Sequence, residues 1–503
     1  MAALALAKKA QETELSLYNT LARHVLAPSL DLLRGTHTMR ELAELEKTQW
    51  WSPQRIEALQ AERLHRLIEH AYSRVPYYRK VMLERGLTPT DITSTADLSK
   101  LPLLTKDIIR ANLEEMCSEG PARSRLILSQ TSGSTGNPLL FYGSRDEQRT
   151  HGLAKAIRAR GWAGVKLGDR SLHLHMQPEP SRKREIPGKW VRQELKRTVG
   201  VDATGISELT LPVLLERMKR LEPFYLGGYP TVIHFIALFI KQSGLTTPHP
   251  FSIITGGEQL LDHQRELITD VFGTEPYSKY SSFENWEMAS ECPSHGGMHV
   301  NAEDYILELV GEEGLPTPAG ERGNVLITNL FNYGMPLIRY ENGDCSSLTT
   351  APCPCGRGLP LLDSPLGRTT DFIYTGSGRR VVALGIPFNK LAPLGVTQYQ
   401  IVQDEPGRIL LRLTAPEATT ASARMAVENG ARQLLLPSMG TDIYAEVEFT
   451  QHMEHSSAGK YLAIICRLNH ASLPQHMVSP GGPPHDVDRT FTLQPHKPRG
   501  LDE

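Results

Sequence analysis

The chain has 503 residues, 40% of them apolar, with 54 Lys and Arg against 56 Asp and Glu. That is enough apolar matter for more than one packed domain, and too even a charge for a nucleic-acid-binding face. No apolar run approaches the roughly 20 residues that span a bilayer, and Lys8 and Lys9 follow a very short apolar patch, the wrong order for a secretory signal. A cytoplasmic protein is expected, in which the six cysteines serve metal binding or plain burial rather than a disulfide framework.

Taken in order, residues 10 to about 90 carry helical spacing, as in ERLHRLIEHAYSRV (62–75), and in 87–113 Ser, Thr and Asp precede short helical runs as N-caps would. From 126 to about 365, β-like runs (RLILSQ, SIITGGE, NVLITNLF) alternate with helical ones (LTLPVLLERMKRLE, LLDHQRELITDVF). This is the pattern of an α/β domain whose sheets are covered by helices. The cationic run at 180–197 reads as a solvated, partly helical surface. Composition shifts again near Gly367. Beyond it, TDFIYTGSGRRVV, QYQIVQDEPGRILLRLT, SARMAVENGARQLLL and DIYAEVEFT predict strand, strand, helix and strand, a small α+β domain of about 100 residues. Residues 471–503 are rich in Pro, Gly and His without periodicity and are expected to be disordered. The reading is therefore a large domain over 1–366, a small one over 367–470 and a tail.

Between two apolar runs stand Thr131, Ser132, Gly133, Ser134, Thr135 and Gly136. Glycine permits the positive φ angles that turn successive N–H groups toward one anion, so such a loop suits phosphate. It lacks the Lys that completes a Walker-type loop. Further segments follow: TGGEQL at 255–260, YSSFENWEMASEC at 280–292, IRYENGDCSSL at 338–348, LGRTTDFI at 366–373 and SSAGKYLAII at 456–465. In this order and at these separations they resemble the acyl-adenylate-forming superfamily, and within it the phenylacetate–CoA ligase group and its capsule-biosynthesis-like relatives. The resemblance covers roughly residues 60 to 470.

The resemblance implies a large N-terminal domain joined by a hinge to a small mobile one. It also implies a reaction in which a carboxylate attacks the α-phosphate of ATP, releasing pyrophosphate and leaving an acyl-AMP for a second nucleophile. A carboxylate approaching a polyanion is repelled, so the site must supply positive charge where negative charge accumulates. Lys460 is the candidate for that charge, with Mg²⁺ held by Glu284. The metal motif reads Tyr280-Ser281-Ser282-Phe283-Glu284, with Ser and Phe where the family pattern differs. The hydroxyl-glycine loop would hold the β- and γ-phosphates and Asp344 the ribose hydroxyls. Arg368 would contact ribose or phosphate, and Gly256, Gly257 and Glu258 would lie against adenine. The hinge position, usually Asp in this group, is Thr370, and a β-branched residue is stiffer there. The acceptor implied is coenzyme A; the alternative is an amine such as an amino acid, which would make an amide. A small-molecule acid is the expected partner, with a homodimer allowed and no nucleic acid or membrane.

Cys292 and His295, with Cys353 and Cys355, offer three sulfurs and one imidazole in two tight segments, the donor set of a closed structural Zn²⁺ site. Relatives carry similar paired segments. His299 could replace His295, and Cys345 one of the cysteines. His173 and His175 share one side of a strand, as a metal pair, as acid-pocket lining or as satisfied sheet histidines. Tyr229, Phe283 and Trp286 could wall an aromatic or cyclic acid, or could be core.

Overall fold

The computed structural model describes residues 17–120, 123–131, 139–175, 197–203, 206, 209–311, 314–318, 320–349, 351–365, 372–377, 380–382, 391–396, 398–439, 442–450, 453–454 and 464–468. Four helices lead: α1 (Ala27–Arg34), α2 (Thr38–Thr48), α3 (Pro53–Arg74) and α4 (Pro76–Glu84). Ser52 starts α3 by accepting a hydrogen bond from Arg55 N, with Pro53 in the first turn. The helix buries Ile56, Leu64, Leu67, Ile68 and Ala71 as one stripe, at about 1.5–3 kcal/mol for each fully buried large side chain. The expected caps follow: Thr88 with Asp91 and Ser94 with Asp97 form capping boxes, and Thr105 accepts from Ile108 N.

Strands β1 (Leu126–Gln130) and β2 (Leu140–Ser144) form an antiparallel pair, followed by helix α5 (Leu153–Trp162). Next come β3 (Ser171–His175), β4 (Thr198–Asp202), α6 (Leu211–Leu221), β5 (Tyr225–Gly228), α7 (Pro230–Ser243), β6 (Ser252–Gly256), α8 (Asp262–Phe272) and β7 (Pro276–Ser282). Then follow β8 (Trp286–Glu291), β9 (Met298–Val300), β10 (Tyr305–Val310), β11 (Gly323–Asn329), β12 (Tyr340–Ser346), β13 (Leu348–Thr349) and β14 (Leu361–Leu362). A nine-stranded sheet has the order β13-β14-β9-β8-β7-β6-β5-β3-β4. Its pairs from β4 to β7 are parallel and the remainder antiparallel. Apolar strand residues Leu172, Leu226 and Ile253 pack with Leu215, Met218, Val232, Ile236 and Ile268 from α6, α7 and α8. This is the helix-covered α/β sheet expected from the alternating pattern. Strands β10, β11 and β12 make a separate antiparallel sheet.

Residues 372–468 add β15 (Phe372–Tyr374), β16 (Arg380–Val382), β17 (Gln398–Glu405), β18 (Arg408–Thr414), α9 (Ala421–Met439), β19 (Tyr444–Phe449) and β20 (Ile464–Cys466). The order β19-β18-β17-β20 packs on α9 through Ile401, Leu411, Ala431 and Leu435. Two expectations are corrected here, the first being the single strand in TDFIYTGSGRRVV, where β15 and β16 pair antiparallel. Residues 398–414 form not one strand but the hairpin β17–β18, because Pro406 and Gly407 break the ladder and Gly407 adopts φ +73°. Most of the cationic run at 180–197, and the tail 471–503, lie outside the described residues. Among the described residues no helix is long and apolar enough to cross a membrane.

Candidate active site

In a doubly wound sheet, ligands are held beyond the carboxyl ends of the parallel strands. Here β6 and β7 are parallel neighbours, so Gly256-Gly257 and the turn after Ser282 leave the sheet on the same edge. Two tyrosines tie that edge to the second sheet. Tyr280 of β7 donates to Asp344 Oδ2 of β12 at 2.8 Å, and Asn342 Nδ2 donates to the same oxygen at 2.6 Å. In return, Tyr340 of β12 donates to Glu284 Oε1 at 3.0 Å. Burial pushes the Tyr280 phenol well above its ordinary range, with Asp344 adding to the effect, so the phenol stays a donor at neutral pH. Asp344 thus lies within strand β12, and Glu284, in the turn between β7 and β8, is held by the strand residue Tyr340.

Thr131 closes the neck of the hydroxyl-glycine loop: its N–H donates to Leu139 O at 3.0 Å, and Leu139 N donates to its hydroxyl at 2.9 Å. Residues 132 to 136, Arg368, Thr370 and Lys460 lie outside the described residues. Gly257 has φ +83°, and a Cβ there would lie 2.7 Å from the Tyr229 ring, so only glycine lets the backbone approach that phenol. The Glu258 carboxylate is occupied otherwise. Its Oε2 accepts from Thr231 Oγ1 at 2.6 Å and Thr231 N at 3.2 Å, capping the start of α7. Phe283 and Trp286, 50% and 40% exposed, flank buried Glu284. Large aromatic surface left open beside a buried carboxylate is what an apolar ligand would cover. His173 and His175 are satisfied sheet histidines: His173 Nε2 meets Tyr225 Oη at 2.8 Å, and His175 Nδ1 meets His173 O at 3.1 Å. Burial pushes His173 down to about 3.

Away from this edge, the donor atoms of Cys292, His299, Cys353 and Cys355 all lie within 4.8 Å of one another. His295, the residue named first from the sequence, is not among them. It sits in the turn before β9, with Nδ1 3.1 Å from Glu291 and 3.2 Å from Arg265, whereas strand β9 carries His299 to Leu361 and the cysteine loop. Cys345 also lies outside the group. The Cys292 and Cys353 sulfurs are 3.6 Å apart, and Cys355 Sγ is 3.2 Å from His299 Nε2. Ligands around a tetrahedral Zn²⁺ stand about 3.5–3.8 Å from one another, so the spacing fits that ion. His299 Nδ1 bonds Leu359 O at 3.3 Å, which leaves Nε2 facing the sulfurs. The cysteine loop is also sewn to the N-terminal helices. Gly358 N donates to Gln49 O at 3.0 Å, and a Cβ on Gly358 would stand 1.8 Å from the Trp51 carbonyl.

No family model matches the chain. Phenylacetate-coenzyme A ligase of Thermus thermophilus is 26% identical over 375 residues, 71% of this chain and 80% of that protein. Protein CapK of Staphylococcus aureus is 22% identical over 369 residues, 71% and 77% respectively. A solved structure of 2-hydroxyisobutyryl-CoA ligase, in complex with 2-HIB-AMP and CoA, superposes with a TM-score of 0.58 at 20% identity, over 84% of this chain and 91% of that one. Over most of its length the chain is thus similar to proteins of the acyl-adenylate-forming superfamily. Glu284, in the turn after β7, and Asp344, within β12, are each held by a tyrosine from the opposite sheet.

Sequence reasoning missed a buried charge network behind this edge of the fold. Lys155, fully buried in α5, donates to Asp304 at 2.6 Å, and Arg158 one turn on donates to Glu303 at 2.6 Å. Asp304 also faces Arg63 and His151, and His151 stacks on Phe331 with ring centroids 4.9 Å apart. Burial alone would lower the His151 pKa, yet Asp304 and Glu41 lift it to about 9. Burial would raise Asp304, but Lys155 and His151 hold it well below the usual carboxylate range. The available signal was Lys155 and Arg158 at i and i+3 in a helix whose neighbours Ala154 and Ala159 are small and apolar.

Proposed function

We propose that this protein is an ATP-dependent carboxylic acid ligase that activates an organic acid as acyl-AMP, releases pyrophosphate and passes the acyl group to coenzyme A. The observation that carries the reading is the exchange of tyrosine hydrogen bonds between two sheets, Tyr280 to Asp344 and Tyr340 to Glu284, which fixes both carboxylates on one edge. Asp344, an acceptor when ionised, would bind the ribose hydroxyls. Glu284 is a hard oxygen donor, with one oxygen held by Tyr340, and would carry Mg²⁺, which supplies charge neutralisation at the phosphates. Thr131 to Gly136 would wrap the β- and γ-phosphates, and Arg368 would hold ribose or phosphate. Gly256 and Gly257 would present bare backbone to adenine. Lys460, in a small domain over 367–470 that turns about Thr370, would bring positive charge to the carboxylate and α-phosphate as they meet. Tyr229, Phe283 and Trp286 favour an aromatic or cyclic acid. A Zn²⁺ held by Cys292, His299, Cys353 and Cys355 would be structural, since four protein donors leave no position for water.

The test is exchange of labelled pyrophosphate into ATP with aryl, cycloalkyl and alkyl acids, followed by mass analysis of the product with coenzyme A or a panel of amino acids. Acid-dependent exchange and an acyl-CoA product are expected. Amide formation would reassign the acceptor, and absence of exchange with every acid would remove the adenylation reading.

A further inference from the structure

A cleft of about 580 Å³ lies between residues 19–24, the carboxyl end of α5 and the loop 164–167, with Arg357 at its wall. None of the residues assigned above to nucleotide or acid lines it. Arg23, Arg158, Lys166 and Arg357 line it against one carboxylate, Glu46. Arg23 is paired with Glu46 at 2.6 Å, and Arg158 with Glu303 from behind. That leaves the charges of Lys166 and Arg357 without a carboxylate among the described residues.

Two polar atoms of residues in the wall are sealed from solvent. Oδ1 of Asn19 and Nε of Arg158 are buried and lack a hydrogen-bond partner among the described residues. Their residues are only 9% and 2% exposed, and both line this cleft. The guanidinium of Arg357 lies 4.9 Å from the ring centroids of both Trp50 and Trp162, which holds its planar fork in place. A fixed guanidinium and an ammonium, in a cleft within the roughly 300–1,000 Å³ range of small-molecule sites, suit an anion with more bulk than inorganic phosphate.

We propose that this cleft binds a phosphorylated small molecule of nucleotide size, at a place separate from the adenylation edge. The probe is 8-azido-ADP, photolysed on the full-length protein, with cross-linked peptides mapped by mass spectrometry. Label is expected in peptides holding residues 19–24 and 157–167, abolished by excess inorganic pyrophosphate and retained in excess adenosine. Lys166→Glu with His24→Glu, both exposed and remote from the adenylation residues, should cut that label at least tenfold while the thermal transition matches the parent. Absence of cleft label in the parent, undiminished label in the variant, or adenosine competing as well as pyrophosphate would each overturn the assignment.

Discussion

Asp344 receives Tyr280 and Asn342 on a single oxygen, so its orientation is set before any ligand arrives. Hydrogen bonds to a charged group contribute about 1.5–3 kcal/mol. Asp344→Asn is expected to lower kcat/KM for ATP about 10–100-fold in the exchange assay, with the KM for acid little changed. Asp304→Asn acts on folding instead. It leaves Lys155 buried without a carboxylate on its ammonium, and should cost about 3–5 kcal/mol in urea denaturation. His151 gives a pH signature. Its pKa in the fold is raised from 6.5 to about 9, so its contribution is complete below about pH 6.5 and is lost as pH rises through 9. Comparing unfolding free energies at pH 6.5 and 9.5, His151→Gln should fall less than the parent over that interval; an equal fall would remove His151 as the cause.

At the scale of elements, local chemistry was legible and register was not. The capping pairs Thr88–Asp91 and Ser94–Asp97 could be read because both partners lie within one turn. The β17–β18 hairpin was legible in Asp404-Glu405-Pro406-Gly407-Arg408, a polar Pro-Gly turn between two apolar runs, and was missed by reading the two runs as one strand. The choice of His299 over His295 depends on which residue β9 brings beside Leu361, a pairing that no spacing within 292–299 encodes. The Lys155 and Arg158 charges were visible, but their burial follows from packing on 303–304, about 150 residues away. Gly407→Val offers a check on the turn. With φ +73° and Gly376 Cα 2.6 Å from an added Cβ, it should destabilise the C-terminal sheet by about 1–3 kcal/mol, seen as a lower melting temperature.

For the whole molecule, the order of motifs made the superfamily legible, while the sequence could not show that a pair of tyrosines would bind its two sheets together. The loop Thr131–Gly136 and Lys460 stand more than 300 residues apart in the chain, and the proposed reaction brings them to one nucleotide. Lys460→Ala should therefore reduce pyrophosphate exchange by at least 100-fold with an unchanged circular dichroism spectrum; near-parental exchange would exclude that lysine. The Cys–His group joins the turn after β8 to the loop before β14. Metal analysis should find one Zn per chain, and Cys353→Ser should remove it and lower the melting temperature.

The seam between Gly358 and residues 49–51 bears on biosynthesis. Ribosomes add about 5–20 residues per second, so the end of α2 leaves the exit tunnel roughly 15–60 s before its partner loop exists. Helices α3 and α4 can pack early on residues 92–109, but Trp50 and Trp51 must wait. The contacts of residues 49–51 with Arg357 and Gly358 therefore close only after more than half of the chain has been made.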